Sequence, residues 1–86
     1  MADSSFAATL SSKAIFAVSE ADLKLAVHFC TVQDYAALDE MDRESKINTF
    51  NVDQKVNVVE RKWDIVSFTF PGKTKVLYTA TEFVTD

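Results

Sequence analysis

His28 and Cys30 are the one histidine and the one cysteine of the chain, and they stand two residues apart. On a strand that spacing puts both side chains on one face, where an imidazole can draw the proton from a thiol and leave a nucleophilic thiolate. Such a site also needs a group to orient the base and donors for the oxyanion. No pattern in the sequence supplies either. A thiol enzyme using Cys30 and His28 is therefore the second alternative. It stands behind the plainer reading of a small core cysteine and a surface histidine. One Cys and one His are also too few for a zinc site of those ligands or for an internal disulfide.

A second group of residues could do chemistry through charge. Between residues 32 and 45 stand Asp34, Asp39, Glu40, Asp42 and Glu44 against Arg43 alone, which places the whole net charge of −4 in one short segment. Calcium takes six to eight oxygens from a loop with a sharp turn. This segment has no glycine for such a turn. The reading is a solvated helix face that can also steer a partner with a basic surface. Asp39, Glu40, Asp42 and Glu44 are its candidate contacts. Trp63, which starts an expected strand, reads as a core aromatic; if exposed nearby instead, it or Tyr78 would be the apolar anchor that charge alone lacks.

A third group is basic. Arg61 and Lys62 precede Trp63, and Lys73 with Lys75 lies across the expected hairpin. Cations beside an aromatic can grip phosphates and stack bases. The chain as a whole is acidic, with 13 acids against 9 bases, which argues against nucleic acid and anionic membranes alike. A nucleic-acid-binding small β domain is the first alternative.

Length and composition set the remaining bounds. The 86 residues suit a single small domain, 1–86, and a hydrophobic fraction of 48% suits a folded one. A single glycine excludes the Gly-rich phosphate loops, which need more than one. No cofactor is expected. No apolar run approaches the length of about 18 residues that a membrane helix requires. Asp3 and the polar Ser11–Lys13 interruption do not suit a secretory leader, so the expectation is a cytoplasmic protein with a reduced Cys30.

These residues need elements to hold them. Residues 1–12 read as a flexible arm or an edge strand, and pairing of that arm with a neighbour's sheet would make a homo-oligomer. Leu23, Leu25, Val27 and Phe29 alternate with Lys24, Ala26, His28 and Cys30, a period of two that favours a half-buried strand. Ser19 and Asp22 give a competing signal, the spacing of a helix cap. Residues 31–43 read as a short helix capped by Thr31. Asn48, Asn51 and Asp53 mark a connection, after which three strands follow. Val56 and Val58 share a face, as do Val66, Phe68 and Phe70. Pro71 and Gly72 stand in type II turn order, and a three-residue loop there would set Phe68 opposite Val76 and Val66 opposite Tyr78.

From Ala37 onward the chain resembles Src-homology-3 barrels. The resemblance runs through Ala37-Leu38, the acids Asp39 to Glu44, Ile47 with Phe50, Val56 to Glu60, Trp63, Gly72-Lys73 and Phe83-Val84. It covers residues 37–84 and implies a small all-β barrel. Asp39 and Met41 stand where that family's opening motif has tyrosines, so the resemblance does not carry its proline-rich peptide groove with it.

The residues together give an α+β, mainly antiparallel β fold. The expected order is β-β-α-β-β-β with one short helix, and the alternative is the all-β SH3-like barrel. The expected function is a non-catalytic protein-protein interaction module or small assembly subunit, with the acidic segment 34–44 steering a basic partner.

Overall fold

The computed structural model describes residues 6–85. They form an α+β fold of antiparallel strands with two helices. In chain order the elements are β1 (Phe6–Leu10), β2 (Phe16–Ala17), α1 (Glu20–Thr31), α2 (Tyr35–Arg43), β3 (Ile47–Asn48), β4 (Gln54–Arg61), β5 (Ile65–Thr69), β6 (Leu77–Ala80), a 3-10 turn (Thr81–Phe83) and β7 (Val84–Thr85). The strands make one sheet in the order β3-β2-β6-β5-β4-β1-β7.

This order corrects the β-β-α-β-β-β expectation, because Leu23–Val32 is not a strand. Ser19 caps a helix instead, its Oγ accepting the Asp22 N–H at 3.1 Å, with Glu20 and Asp22 in the positively polarised first turn. Leu23 and Ala26 are buried three residues apart on one face, while Leu25 is 44% exposed. The apolar alternation was therefore coincidental, and the cap signal decided the element. The two helices also set aside the all-β alternative.

The second helix begins later than residue 31. Thr31 belongs to α1, where its Oγ1 donates to the Val27 carbonyl at 3.0 Å. Asp34 caps α2 by accepting the Ala37 N–H at 3.2 Å. Both helices end in the same motif despite the lack of glycine. Gln33 and Ser45 take left-handed φ angles of 59° and 60°. Asp34 N–H then donates to Phe29 O, and Lys46 N–H to Met41 O, at 2.9 and 3.0 Å. These are Schellman closures with a polar residue where glycine is usual.

Two apolar clusters lie on opposite faces of the sheet. One gathers Leu10, Phe16, Val56, Val58, Val66, Phe68 and Leu77. Phe16, Phe68 and Phe70 meet edge to face, with ring centroids 5.4 to 5.9 Å apart. The other lies under the helices and includes Ala17, Leu23, Ala26, Met41, Ile47 and Ile65. Residues of β5 alternate between the two, which is why Ile65, Val66, Ser67 and Phe68 are all buried. Thr79 is fully buried and satisfied, its Oγ1 donating to Ile15 O at 2.8 Å. Val59 forms a bulge in β4, where the register with β5 shifts between Val58 and Glu60.

The Pro71-Gly72 turn forms, with Lys73 N–H donating to Phe70 O at 2.9 Å and Gly72 at φ 79°. The expected register across it does not. Phe68 pairs with Leu77 and Val66 with Thr79, one residue away from the Val76 and Tyr78 pairings. The chain stays out of the ladder until Leu77, so Leu77 and Thr79 point into the core and Val76 stays outside it. Of the N-terminal segment, residues 1–5 lie outside the described residues, and Phe6–Leu10 pairs with β4 along its length and with β7 at Thr9 and Leu10. Among the described residues no helix is long and apolar enough to cross a membrane.

Candidate functional site

The hairpin between β4 and β5 is the tightest in the sheet. Arg61 pairs with Val66, and Lys62 N–H donates to Ile65 O at 2.8 Å, which leaves Trp63 and Asp64 as the two-residue tip. Trp63 therefore precedes β5 rather than starting it, and its side chain is 90% exposed. An indole that protrudes this far adds nothing to the chain's own core. The tip is held from two sides. Lys62 Nζ meets Glu20 Oε1 on α1 at 3.0 Å. Thr81 N–H donates to Asp64 O at 3.1 Å, and its Oγ1 to Lys62 O at 3.3 Å.

Those two ties position the tip beside a cleft. It measures about 530 Å³ and lies between α1 and the face made by β5, β6 and the 3-10 turn. Buried Leu23 and Ile65 line it, with Ile15, Val27, Ala80 and Phe83 as further apolar lining. The polar side chains on it are Lys24, Cys30, Thr31, Asp64 and Glu82. Its size lies in the range of about 300–1,000 Å³ typical of ligand pockets, and a mostly apolar lining with few polar groups is also typical.

The electrostatics follow from Glu20. One of its oxygens takes Lys62 and the other takes Lys24 at 3.3 Å. The hydrogen bond from Lys62, helped by that from Lys24, holds the Glu20 carboxyl below its ordinary range, and the Lys62 ammonium is held above its own. The pair is solvent-exposed, so it orients the turn more than it stabilises the fold.

The acids Asp39, Glu40 and Asp42 lie exposed on α2, and Glu44 is its C-cap. Glu40 pairs with Arg43 at 3.3 Å and Glu44 with Lys46 at 3.1 Å. The latter contact raises the Lys46 pKa. This helix packs on α1 and β3, and none of its acids lines the cleft. Tyr78 is half-buried in the cluster under the helices.

Two sequence groupings come apart. His28 and Cys30 lie on a helix, where two residues span about 200° and point to opposite sides. The shared face required for a thiol–imidazole pair does not exist. Cys30 faces the cleft, and the His28 ring lies 5.8 Å from that of Phe29. The basic residues also divide. Arg61 ends β4, with Lys62 and Trp63 in the turn before β5, while Lys73 and Lys75 follow the end of β5, a strand length of roughly 15 Å away. Among the described residues no three of His, Cys, Asp and Glu converge as metal ligands.

The cleft itself was not read from the sequence. Leu23, Ala26, Val27 and Cys30 do carry a helical period, but the stronger alternation of Leu23, Leu25, Val27 and Phe29 hid it. No family model, curated protein or solved structure matches the chain.

Proposed function

We propose that the chain is a protein-interaction module whose contact surface is the Trp63 tip together with the adjoining cleft, with the acids of α2 steering a basic partner toward it. One observation carries this reading: a 90% exposed tryptophan fixed on a two-residue turn whose next residue, Asp64, lines an apolar cleft. Tryptophan is enriched among the residues that dominate interfaces, because a rigid, amphipathic ring buries much area at small entropic cost. Its turn is anchored to α1 through Lys62 and to the 3-10 turn through Thr81, so the ring is presented on a held scaffold. The exposed carboxylates of Asp39, Glu40, Asp42 and Glu44 raise the encounter rate with a cationic surface without themselves forming the anchor.

Purification from the native host, with the wild type and Trp63→Ala handled in parallel, tests it. The wild type is expected to retain a partner that the folded Trp63→Ala protein loses. Charge reversal at Asp39, Glu40 and Asp42 should slow association and flatten its salt dependence while leaving dissociation unchanged. Retention of the same partner, with the same kinetics, by all three proteins would overturn the reading.

A further inference from the structure

The cleft carries an unequal charge. Asp64 and Glu82 both line it, and the Thr81 N–H to Asp64 O hydrogen bond holds their backbones near one another, since Thr81 is the neighbour of Glu82. Lys24, the cation of the lining, already pairs with Glu20. The lining thus carries two acids to one lysine, and Lys62, whose charge Asp64 also feels, is itself hydrogen-bonded to Glu20. A carboxylate or phosphate entering here would be repelled, and an ammonium or guanidinium would be drawn in. The exposed face of Trp63, beside Asp64, offers a second contact for such a cation. The exposed Trp63 extends the contact beyond the cleft itself, which suits a length of polypeptide better than an enclosed small molecule.

We infer that this cleft receives a segment of the partner protein in which a bulky apolar side chain is flanked by lysine or arginine. The apolar side chain packs against Val27, Ile65 and Phe83, and the neighbouring cation meets Asp64 and Glu82. This inference rests on the interaction reading above and specifies the occupant of the same surface.

Short amphipathic peptides serve as probes: one of Leu and Lys, one with Glu in place of each Lys, and one with Ser in place of each Leu. Binding is read by the emission of Trp63, the single tryptophan, and by amide chemical shifts. The Leu/Lys peptide is expected to bind at least about tenfold more tightly than either control, which corresponds to about 1.4 kcal/mol. Its shift changes should fall on Val27, Cys30 and Phe83. Asp64→Asn with Glu82→Gln should remove that preference. Alkylation of Cys30 by a bulky maleimide should abolish binding, and Cys30→Ser should not.

Equal binding of the Leu/Glu peptide, or shift changes confined to α2, would overturn the inference. So would tight binding of dodecylammonium with none of the peptide, which would assign the cleft to a small amphiphile. Protection of Cys30 that grows with the protein's own concentration would assign it to a second copy. A native partner that still binds the alkylated protein but not Trp63→Ala would leave the interaction reading standing and remove this inference alone.

Discussion

Lys62 Nζ and Glu20 Oε1 lie 3.0 Å apart, and that contact joins the turn carrying Trp63 to the first turn of α1 across 42 positions of sequence. It fixes one wall of the cleft against the other. Glu20→Gln removes the charge but keeps the shape. Because the Glu20 carboxyl is held below its ordinary range, the contribution of the pair is present above the unfolded carboxylate pKa. It is lost as pH falls through the lower folded value. Lys62 works in the opposite sense, and its share is lost as pH rises through a folded value above the ordinary lysine range. Thermal melts of wild type and Glu20→Gln should therefore differ slightly at neutral pH and converge in acid. A difference that widened in acid would contradict the contact.

The assignment of residues 20–31 to a helix is checked by two neighbouring leucines. On a strand Leu23 and Leu25 would share a face and matter alike. On α1 Leu23 is 2% exposed and Leu25 is 44% exposed. Leu23→Ala is expected to cost about 2–4 kcal/mol through lost burial and the cavity left behind. Leu25→Ala should cost less than about 1 kcal/mol. Denaturant unfolding of the two variants measures both, and equal losses would contradict the helix.

Gln33 and Ser45 hold left-handed backbone where a side chain is disfavoured by about 1–2 kcal/mol. Gln33→Gly and Ser45→Gly should each raise stability by up to about 1 kcal/mol, since each is expected to relieve the strain without touching the core. Melting temperatures would show it. A fall in both would mean that the helices do not end in this motif.

Gly72 gives the reverse case. A Cβ built there meets nothing within 4 Å, so any cost of a side chain comes from its φ of 79° alone. Gly72→Val should destabilise by about 1–2 kcal/mol, and Gly72→Asn by much less, because asparagine tolerates the left-handed region. Equal unfolding midpoints for Val and Asn would contradict the type II turn.

The strands of the C-terminal half were legible because alternate residues of each share one face of the sheet. Val56 and Val58 fall on the face that the alternation gives them, as do Val66 and Phe68. The register beyond Gly72 was not legible. It depends on how far the chain runs before Leu77 re-enters the ladder, and Thr74 to Val76 carry no turn chemistry that states it. Helix α1 looks like a strand in sequence because its exposed face is itself apolar at Leu25 and Val27, which fills the gaps in a helical period. The individual lining residues were all visible. Their meeting was not, because the cleft is made where α1 crosses strands that lie more than 30 residues later in the chain.

Trp63 gives the most direct test of the interaction surface, since it is the chain's single tryptophan and is 90% exposed. Its emission can be followed as a native partner lacking tryptophan, or one whose tryptophans are replaced, is titrated in. A solvent-like emission maximum is expected in the free protein, with a shift to shorter wavelength that saturates with complex formation. Complete binding, established by an independent method, with the emission left at its solvent position would place the contact elsewhere and contradict the account.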